Sequence, residues 1–344
     1  MGPDTVARDR FDYAGAVGES WKSQMLLNLV KIRYGDIPVF MDVGQVVAGY
    51  ALQRTVSATG SFNTFNQGAP FQAITGALGP TASVTYNDSP TITYTPLSGE
   101  RFARSIMGSI PPQSIMNVLQ AGFPADIVFR LGVQSINGID NRRVAGGMSR
   151  EHVRPANPEF YVLLEQLSRI QNSGDIGVRA NAKGDTLTLL FRRSHSAAVR
   201  QAVRNVTSIL GLDPETKEFK VVFGAVPANN KEIAMVTRSI FEVLLDIAST
   251  ISVPETHVTE RRVGSTPEGD LGRQGTIAPL IRITSSNERP SDAFVTIPFH
   301  GHWFSIDDRD PASKNLFSFI LLLFTFVETG SKDIVPVLSI PTTR

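Results

Sequence analysis

Residues 51–63 and 81–95 alternate polar and apolar side chains so regularly that a β-hairpin is the fold they permit. In the first stretch Gln53, Thr55, Ser57, Thr59, Ser61 and Asn63 alternate with Leu52, Arg54, Val56, Ala58, Gly60 and Phe62. In the second, Thr81, Ser83, Thr85 and Asn87 alternate with Ala82, Val84 and Tyr86. The pattern resumes with Thr91, Thr93 and Thr95 against Ile92 and Tyr94. Successive strand residues point to opposite faces, so each stretch predicts one polar face and one largely apolar face. Pro90 cannot donate to a ladder and marks a bulge, an edge or a strand start.

The charge pattern narrows the reading. Between Tyr50 and Pro96 the charged residues are Arg54 and Asp88, in a chain that is 19% charged. Soluble hairpins usually carry Lys and Glu on the wet face and at the edges, which blocks edge-to-edge pairing. Here the wet face is Ser, Thr, Asn and Gln. Such a face opposite a thin apolar one suits a barrel wall with a polar lumen. A membrane-spanning strand needs about 9–11 residues, which 52–63 supplies. One hairpin closes no barrel, so this reading demands several copies of the chain. The contact residues would be Leu52, Val56, Ala58, Phe62, Ala82, Val84 and Tyr86, with Phe71 and Ile74 from the apolar connection 64–80. A plainer reading packs the apolar face on the hairpin's own domain. Alternation alone does not separate the two.

The rest of the chain, 344 residues in all, is long enough for two or three domains with a large core. Lys plus Arg number 33 and Asp plus Glu 32, which offers nucleic acid no concentrated basic face. The absence of cysteine excludes disulfides, thiol catalysis and Cys-ligated zinc. No secretory signal is legible after Met1-Gly2-Pro3-Asp4. The longest apolar run, 316–327, is too short to span a bilayer as a helix.

Periodicity predicts a helix over 11–34, with Tyr13, Val17, Trp21, Met25 and Leu29 four apart and Asp36-Ile37-Pro38 as its stop. Short helices follow over 100–107, 112–121 and 124–136, then a surface linker over 137–156. From there the order is helix 158–172, strands 176–180 and 186–192, helix 196–210 and strand 219–226. A second, looser unit reads as strand 233–237, helix 240–251, strands 278–283, 293–298 and 303–306, helix 311–327 and strand 335–340. A long polar loop, 253–275, interrupts it. The predicted class is α+β: a helical region with the hairpin over 1–150, an α-β-β-α-β module over 151–228, and a second α/β module over 229–344. Such modules resemble, in element order alone, the ring-building domains of bacterial secretion systems.

Catalytic signatures are missing. There is no G-x-S-x-G elbow, P-loop, G-x-G-x-x-G, H-E-x-x-H or EF-hand loop. Asn205-Val206-Thr207 fits a glycosylation sequon but falls in a predicted helix. Arg142-Arg143, Arg192-Arg193 and Arg261-Arg262 read as solvated surface. Phe317, Phe319, Phe324 and Phe326 read as helix core. The one metal candidate is His300 and His302 with Asp308, since two histidines spaced by one residue share a strand face. The simpler reading makes Asp308 or Asp310 the cap of the helix beginning at Pro311, and Trp303 core.

Several segments resemble a family of uncharacterised proteobacterial proteins, many of which begin with lipoprotein-type signals. They are Glu19-Ser20-Trp21-Lys22 through Arg33-Tyr34-Gly35-Asp36-Ile37-Pro38-Val39-Phe40, and Pro90 through Gly99. Val133 through Gly138, Thr237-Arg238-Ser239, and His302-Trp303-Phe304 through Asp307-Asp308 complete the set. The resemblance spans most of the chain and implies a bacterial source and an address in the cell envelope, periplasm or outer membrane. It implies no activity, and this chain lacks the lipid-bearing cysteine.

Together these readings predict a non-enzymatic envelope protein, without cofactor, that assembles with copies of itself into a ring or pore. Its partners would be itself, other envelope proteins and, through the hairpin, a membrane, but not nucleic acid. One alternative is a monomeric or dimeric binding module that grips a partner with loops 64–80 and 253–275. Another is a metal-dependent enzyme built on His300, His302 and Asp308.

Overall fold

The computed structural model describes residues 3–47, 50–59, 79–88, 91–97, 100–144, 153–180, 187–192, 194–272 and 275–328. It is an α+β protein, in agreement with the sequence. The chain divides into two units: Met41–Leu97, and Met1–Phe40 together with Ser98–Arg344.

Helix α1 (Pro3–Arg33) opens the larger unit. Four strands form the smaller one: β1 (Met41–Val47), β2 (Tyr50–Thr59), β3 (Gly79–Asp88) and β4 (Thr91–Pro96). The larger unit resumes with α2 (Glu100–Met107), α3 (Pro112–Gln120) and α4 (Ala125–Gly132). Short strands β5 (Val133–Ile136), β6 (Ile139–Asp140), β7 (Arg143–Val144) and β8 (Val153–Arg154) come next. Then follow α5 (Pro158–Asn172), β9 (Ile176–Ala180), β10 (Leu187–Phe191), α6 (Ala197–Ile209), β11 (Glu218–Phe223) and β12 (Glu232–Thr237). The remainder is α7 (Ile240–Ser249), α8 (Glu255–Thr259), β13 (Leu271–Gly272), β14 (Gly275–Thr276), β15 (Thr284–Ser286), β16 (Ala293–Phe299), β17 (His302–Asp307) and α9 (Pro311–Glu328).

The core is a six-stranded sheet ordered β6-β5-β12-β11-β10-β9. Only β11 and β12 run parallel in it. Their connection needs no crossover helix, because strands this short require a return of only about 13 Å at about 3.3 Å per residue. Alternation shows along β10, where Leu187, Leu189 and Phe191 are buried. It fails along β12, where Ile233, Ala234 and Met235 are buried in succession, the mark of a strand covered on both faces. The buried faces of α5 and α6 supply Phe160, Leu163, Leu167, Ala202 and Val206 to the same core. The strand expected to open the second module is β12, and it joins this sheet beside β11. A separate three-stranded sheet, β15-β17-β16, lies further along the chain.

Two expected elements are corrected. The helix predicted over 124–136 ends at Gly132, and Val133–Ile136 is strand β5. β-branched Val133 and Ile136, and the tight Asn137-Gly138 turn with φ of 46° and 80°, favour an extended hairpin there. The strand predicted over 278–283 is irregular chain, and β15 begins only at Thr284. The strand expected over 335–340 lies outside the described residues.

The predicted surface linker is in part interior. Asn141 is buried and donates to the carbonyls of Arg130 and Val133, at 3.0 and 2.7 Å. Those groups belong to the end of α4, where helix passes directly into strand and the last carbonyls need outside donors. Arg238, also buried, donates to Arg130 O at 3.0 Å and to Arg142 O. Its charge meets Asp246 of α7 at 3.0 Å. Arg142 reaches the same Asp246 at 3.3 Å and Asp270 at 3.4 Å. Asp270 also accepts from the Tyr161 hydroxyl at 2.6 Å and from the Ala156 amide at 3.2 Å. Arg142 is therefore interior, while Arg143 is exposed. The Asp270 end of loop 253–275 is thereby tied to α5.

Replacing Asp246 with Ala should cost about 3–5 kcal/mol, because two buried guanidiniums lose their shared counter-charge. Replacing Glu165, which pairs with Arg169 on an exposed turn of α5, should cost less than about 1 kcal/mol. Urea denaturation midpoints of the two variants measure the contrast.

Candidate functional site

In the smaller unit β2 and β3 pair antiparallel over their full lengths, from Tyr50 opposite Asp88 to Thr59 opposite Gly79. The ladder continues with β1 opposite β4, from Val47 with Thr91 to Met41 with Pro96. The expected hairpin over 50–96 thus gains an earlier strand: the resumed alternation at Thr91–Thr95 has its partner in β1. Directly opposed residues of an antiparallel pair lie on one face. Leu52 and Tyr86, Arg54 and Val84, and Val56 and Ala82 therefore share one face of the ribbon. Gln53 and Thr85, Thr55 and Ser83, and Ser57 and Thr81 share the other. The register superposes the polar halves of the two strands, and likewise the apolar halves.

A one-residue slip would have mixed them. In the β1–β4 ladder the register shifts between Val43 and Gln45, so Gly44 is the extra residue of a bulge. Because of it Val43 and Val46 both stand opposite the Tyr94 and Ile92 face. Without the bulge, Val46 would fall on the face of Thr93.

Each ladder is two-stranded, and among the described residues no third strand joins either edge. Every second main-chain N–H and C=O along each outer edge therefore lacks a ladder partner. No closed barrel is formed within the described residues of one chain. Of the predicted contact residues, Leu52, Val56, Ala58, Ala82, Val84 and Tyr86 lie in this ribbon. Phe62, Phe71 and Ile74, with the connection 64–80, lie outside the described residues.

The metal candidate does not assemble. His300 and Gly301 form a two-residue turn with φ of 48° and 82°, so His300 leaves the strand that carries His302. Asp308 follows the far end of β17, about 20 Å from His302 at about 3.3 Å per residue, and pairs with Lys314 at 2.6 Å. Asp310 caps α9, accepting from the Ser313 amide at 3.1 Å and its hydroxyl at 2.8 Å. These bonds hold its carboxyl below the ordinary value. Trp303 is half-buried under Arg289, and it is Phe304 that is core. Among the described residues no three His, Asp or Glu side chains are grouped to hold an ion.

A different histidine cluster appears, which the sequence did not single out. Helix α1 ends in a left-handed cap at Gly35, φ 76°, with bonds from Gly35 N to Ile32 O and from Asp36 N to Lys31 O. The cap, rather than Asp36-Ile37-Pro38, stops the helix and presents Tyr34 beside it. The Tyr34 hydroxyl lies 2.6 Å from Nδ1 of buried His257 on α8. The His257 ring meets His302 edge-on at 4.6 Å between centroids, and His300 at 6.4 Å. Burial pushes the Tyr34 hydroxyl up to about 12, with Arg33 and Arg262 opposing, so it keeps its proton and donates to Nδ1 in the tautomer that leaves this nitrogen bare. Burial lowers the His257 value, and His302 and Arg262 lower it further. Of the remaining sequence candidates, Val206 and Thr207 of the sequon are buried in α6, and Arg192, Arg261 and Arg262 are exposed.

Comparison with protein families, characterised proteins and solved structures finds no match to this chain. Among the described residues no helix is long and apolar enough to cross a membrane.

Asp310→Ala should lower stability by about 1 kcal/mol through loss of the α9 cap. Asp308→Ala, at an exposed pair, should stay within about 0.5 kcal/mol of wild type. Thermal denaturation of both separates the capping role from a metal role, which would make Asp308 the sensitive position.

Proposed function

We propose that the chain is a non-enzymatic structural protein of the bacterial envelope that assembles with copies of itself through the Met41–Pro96 ribbon. The observation that carries this reading is a ribbon to which, among the described residues, no third strand is joined, with its polar and apolar residues sorted onto opposite faces. An isolated two-stranded ribbon is marginal in water, and a third strand or an apolar partner is what stabilises it. Copies placed edge to edge supply both: each edge gains a ladder, and the apolar faces join into one continuous surface. Few edge charges stand against such pairing.

Arg54 decides between two forms of the assembly. It stands on the apolar face opposite Val84. On a lipid-facing wall an arginine costs about 2–4 kcal/mol at the bilayer midplane and about 0–1 kcal/mol near the interface. A shared sheet between subunits tolerates it without that cost. A membrane-embedded band would have to begin beyond it, on the Val56 and Ala58 side. The order α5-β9-β10-α6-β11, which ring-building modules share, agrees with a body that packs side by side. Order alone does not specify function.

The test is the mass of the purified protein in solution, with and without mild detergent, followed by negative-stain imaging. Wild type should form one large ring-shaped species. Val56→Asp combined with Val84→Asp, which places two charges on the apolar face, should yield monomer with an unchanged circular-dichroism spectrum. Unchanged assembly in the double variant, or a wild-type monomer in both conditions, would refute the proposal. Assembly without detergent favours the inter-subunit sheet; assembly only with detergent favours the membrane wall.

A further inference from the structure

We infer that His257, Tyr34 and His302 form a pH-sensitive latch that holds the segment around α8 on the body at neutral pH and releases it in mild acid. The latch lies in the larger unit and is independent of the ribbon.

Neutral His257 fits its place. Its Nδ1 lies 2.6 Å from the Tyr34 hydroxyl, and with the ring proton on Nε2 it accepts the phenol proton. The ring is 3% exposed and closes an aromatic group with Tyr34, Phe299 and Phe304. The next turn of chain is held from the same side: the Arg33 guanidinium donates to Gly264 O at 2.7 Å. Arg261 follows α8 in a left-handed conformation, φ 59°, which a non-glycine residue adopts only under constraint.

Protonated His257 does not fit. Both ring nitrogens become donors, so the Tyr34 hydroxyl loses its acceptor. The new charge is also poorly compensated. From α1 it faces Tyr34, whose neighbour Arg33 has its own value lowered by burial to about 10. From the β16–β17 turn it faces the rings of His300 and His302, neither of which brings a negative charge to meet it. On its own segment stand Arg261, Arg262 and Glu260, the last of which is already paired with Arg262 at 2.5 Å. A proton on His257 thus places a positive charge near Arg262, with the neighbouring Glu260 already engaged.

The sign follows from linkage. The closed segment holds His257 below its ordinary value, so the open segment binds the proton more strongly. The closed form is favoured above the ordinary histidine pKa of about 6.5 and loses ground as pH falls from there toward the lowered value. One coupled proton changes the opening equilibrium by up to about tenfold per pH unit across that window.

Hydrogen–deuterium exchange of the full chain tests this, read on peptides covering residues 254–264 at about pH 7.5 and about pH 5.5 and corrected for intrinsic exchange. Wild type should lose protection in these peptides at the lower pH while α5 and β10 keep theirs. His257→Asn supplies an oxygen where Nδ1 stands and takes up no proton. It should be protected equally at both pH values. His302→Gln removes the ring that meets His257 edge-on and helps to lower its value, so its acid-induced loss should be smaller than wild type. Equal protection of wild type at both pH values overturns the latch, as does an acid-induced loss in His257→Asn that matches wild type. Should His257→Asn already be open at the higher pH, the His302→Gln result decides: a smaller loss supports the latch and an unchanged one overturns it.

Discussion

Asp246 stands between two buried guanidiniums, and the larger unit is arranged around that fact. Arg238 follows the central strand β12, Arg142 follows the hairpin β5–β6, and Asp246 projects from α7. Arg142 passes the charge on to Asp270, which holds Tyr161 and the start of α5. Two positive and two negative groups close the set, so the desolvation of each is offset by another. The same side chains act as caps: Arg238 and Asn141 satisfy carbonyls that α4 leaves open where it turns abruptly into β5. The network thus fixes the angles between sheet, α4, α5 and α7 at once, which apolar packing alone does loosely.

The ribbon has the opposite character. Among the described residues no third strand joins its edges, and its apolar face is thin. Its sequence avoids the usual remedies against edge pairing. The lysines and glutamates that would block pairing are missing from both faces, and the Gly44 bulge maintains the sorting of faces instead of ending the strand. The body obtains its specificity from buried charge; the ribbon obtains it from register.

Which features were legible follows from how local their causes are. Helices α2 and α5, strand β9 and the alternation of β2 and β3 carry their signal within a few residues, so composition and period reveal them. Ser239 and Glu242 form a capping box for α7, readable as S-x-x-E. The ion network was not legible. Arg142 sits beside exposed Arg143 in a stretch of Gly, Asn and Arg that reads as linker. Its partners Asp246 and Asp270 lie over a hundred residues away. The histidine cluster was half legible for the same reason: His300 and His302 are adjacent in sequence, but the partner that organises them, His257, comes from a polar loop. Pairing β4 with β1 needed the bulge, which a single glycine signals only weakly.

The polar groups singled out in the sequence are engaged by architecture in the fold. Asp310 caps a helix, Asp308 holds a lysine, Asp270 and Tyr161 hold each other, and the Asn205 sequon is locked into α6. Groups already committed to fixed partners are poorer nucleophiles and ligands, since any reaction must first break the bond that holds them. Among the described residues no further strand pairs with the outer edges of β1 to β4. Uncommitted main chain is satisfied by another strand, and the alternation of its side chains fixes which strand and in which register. That is why the functional reading rests on the ribbon and not on the polar side chains of the body.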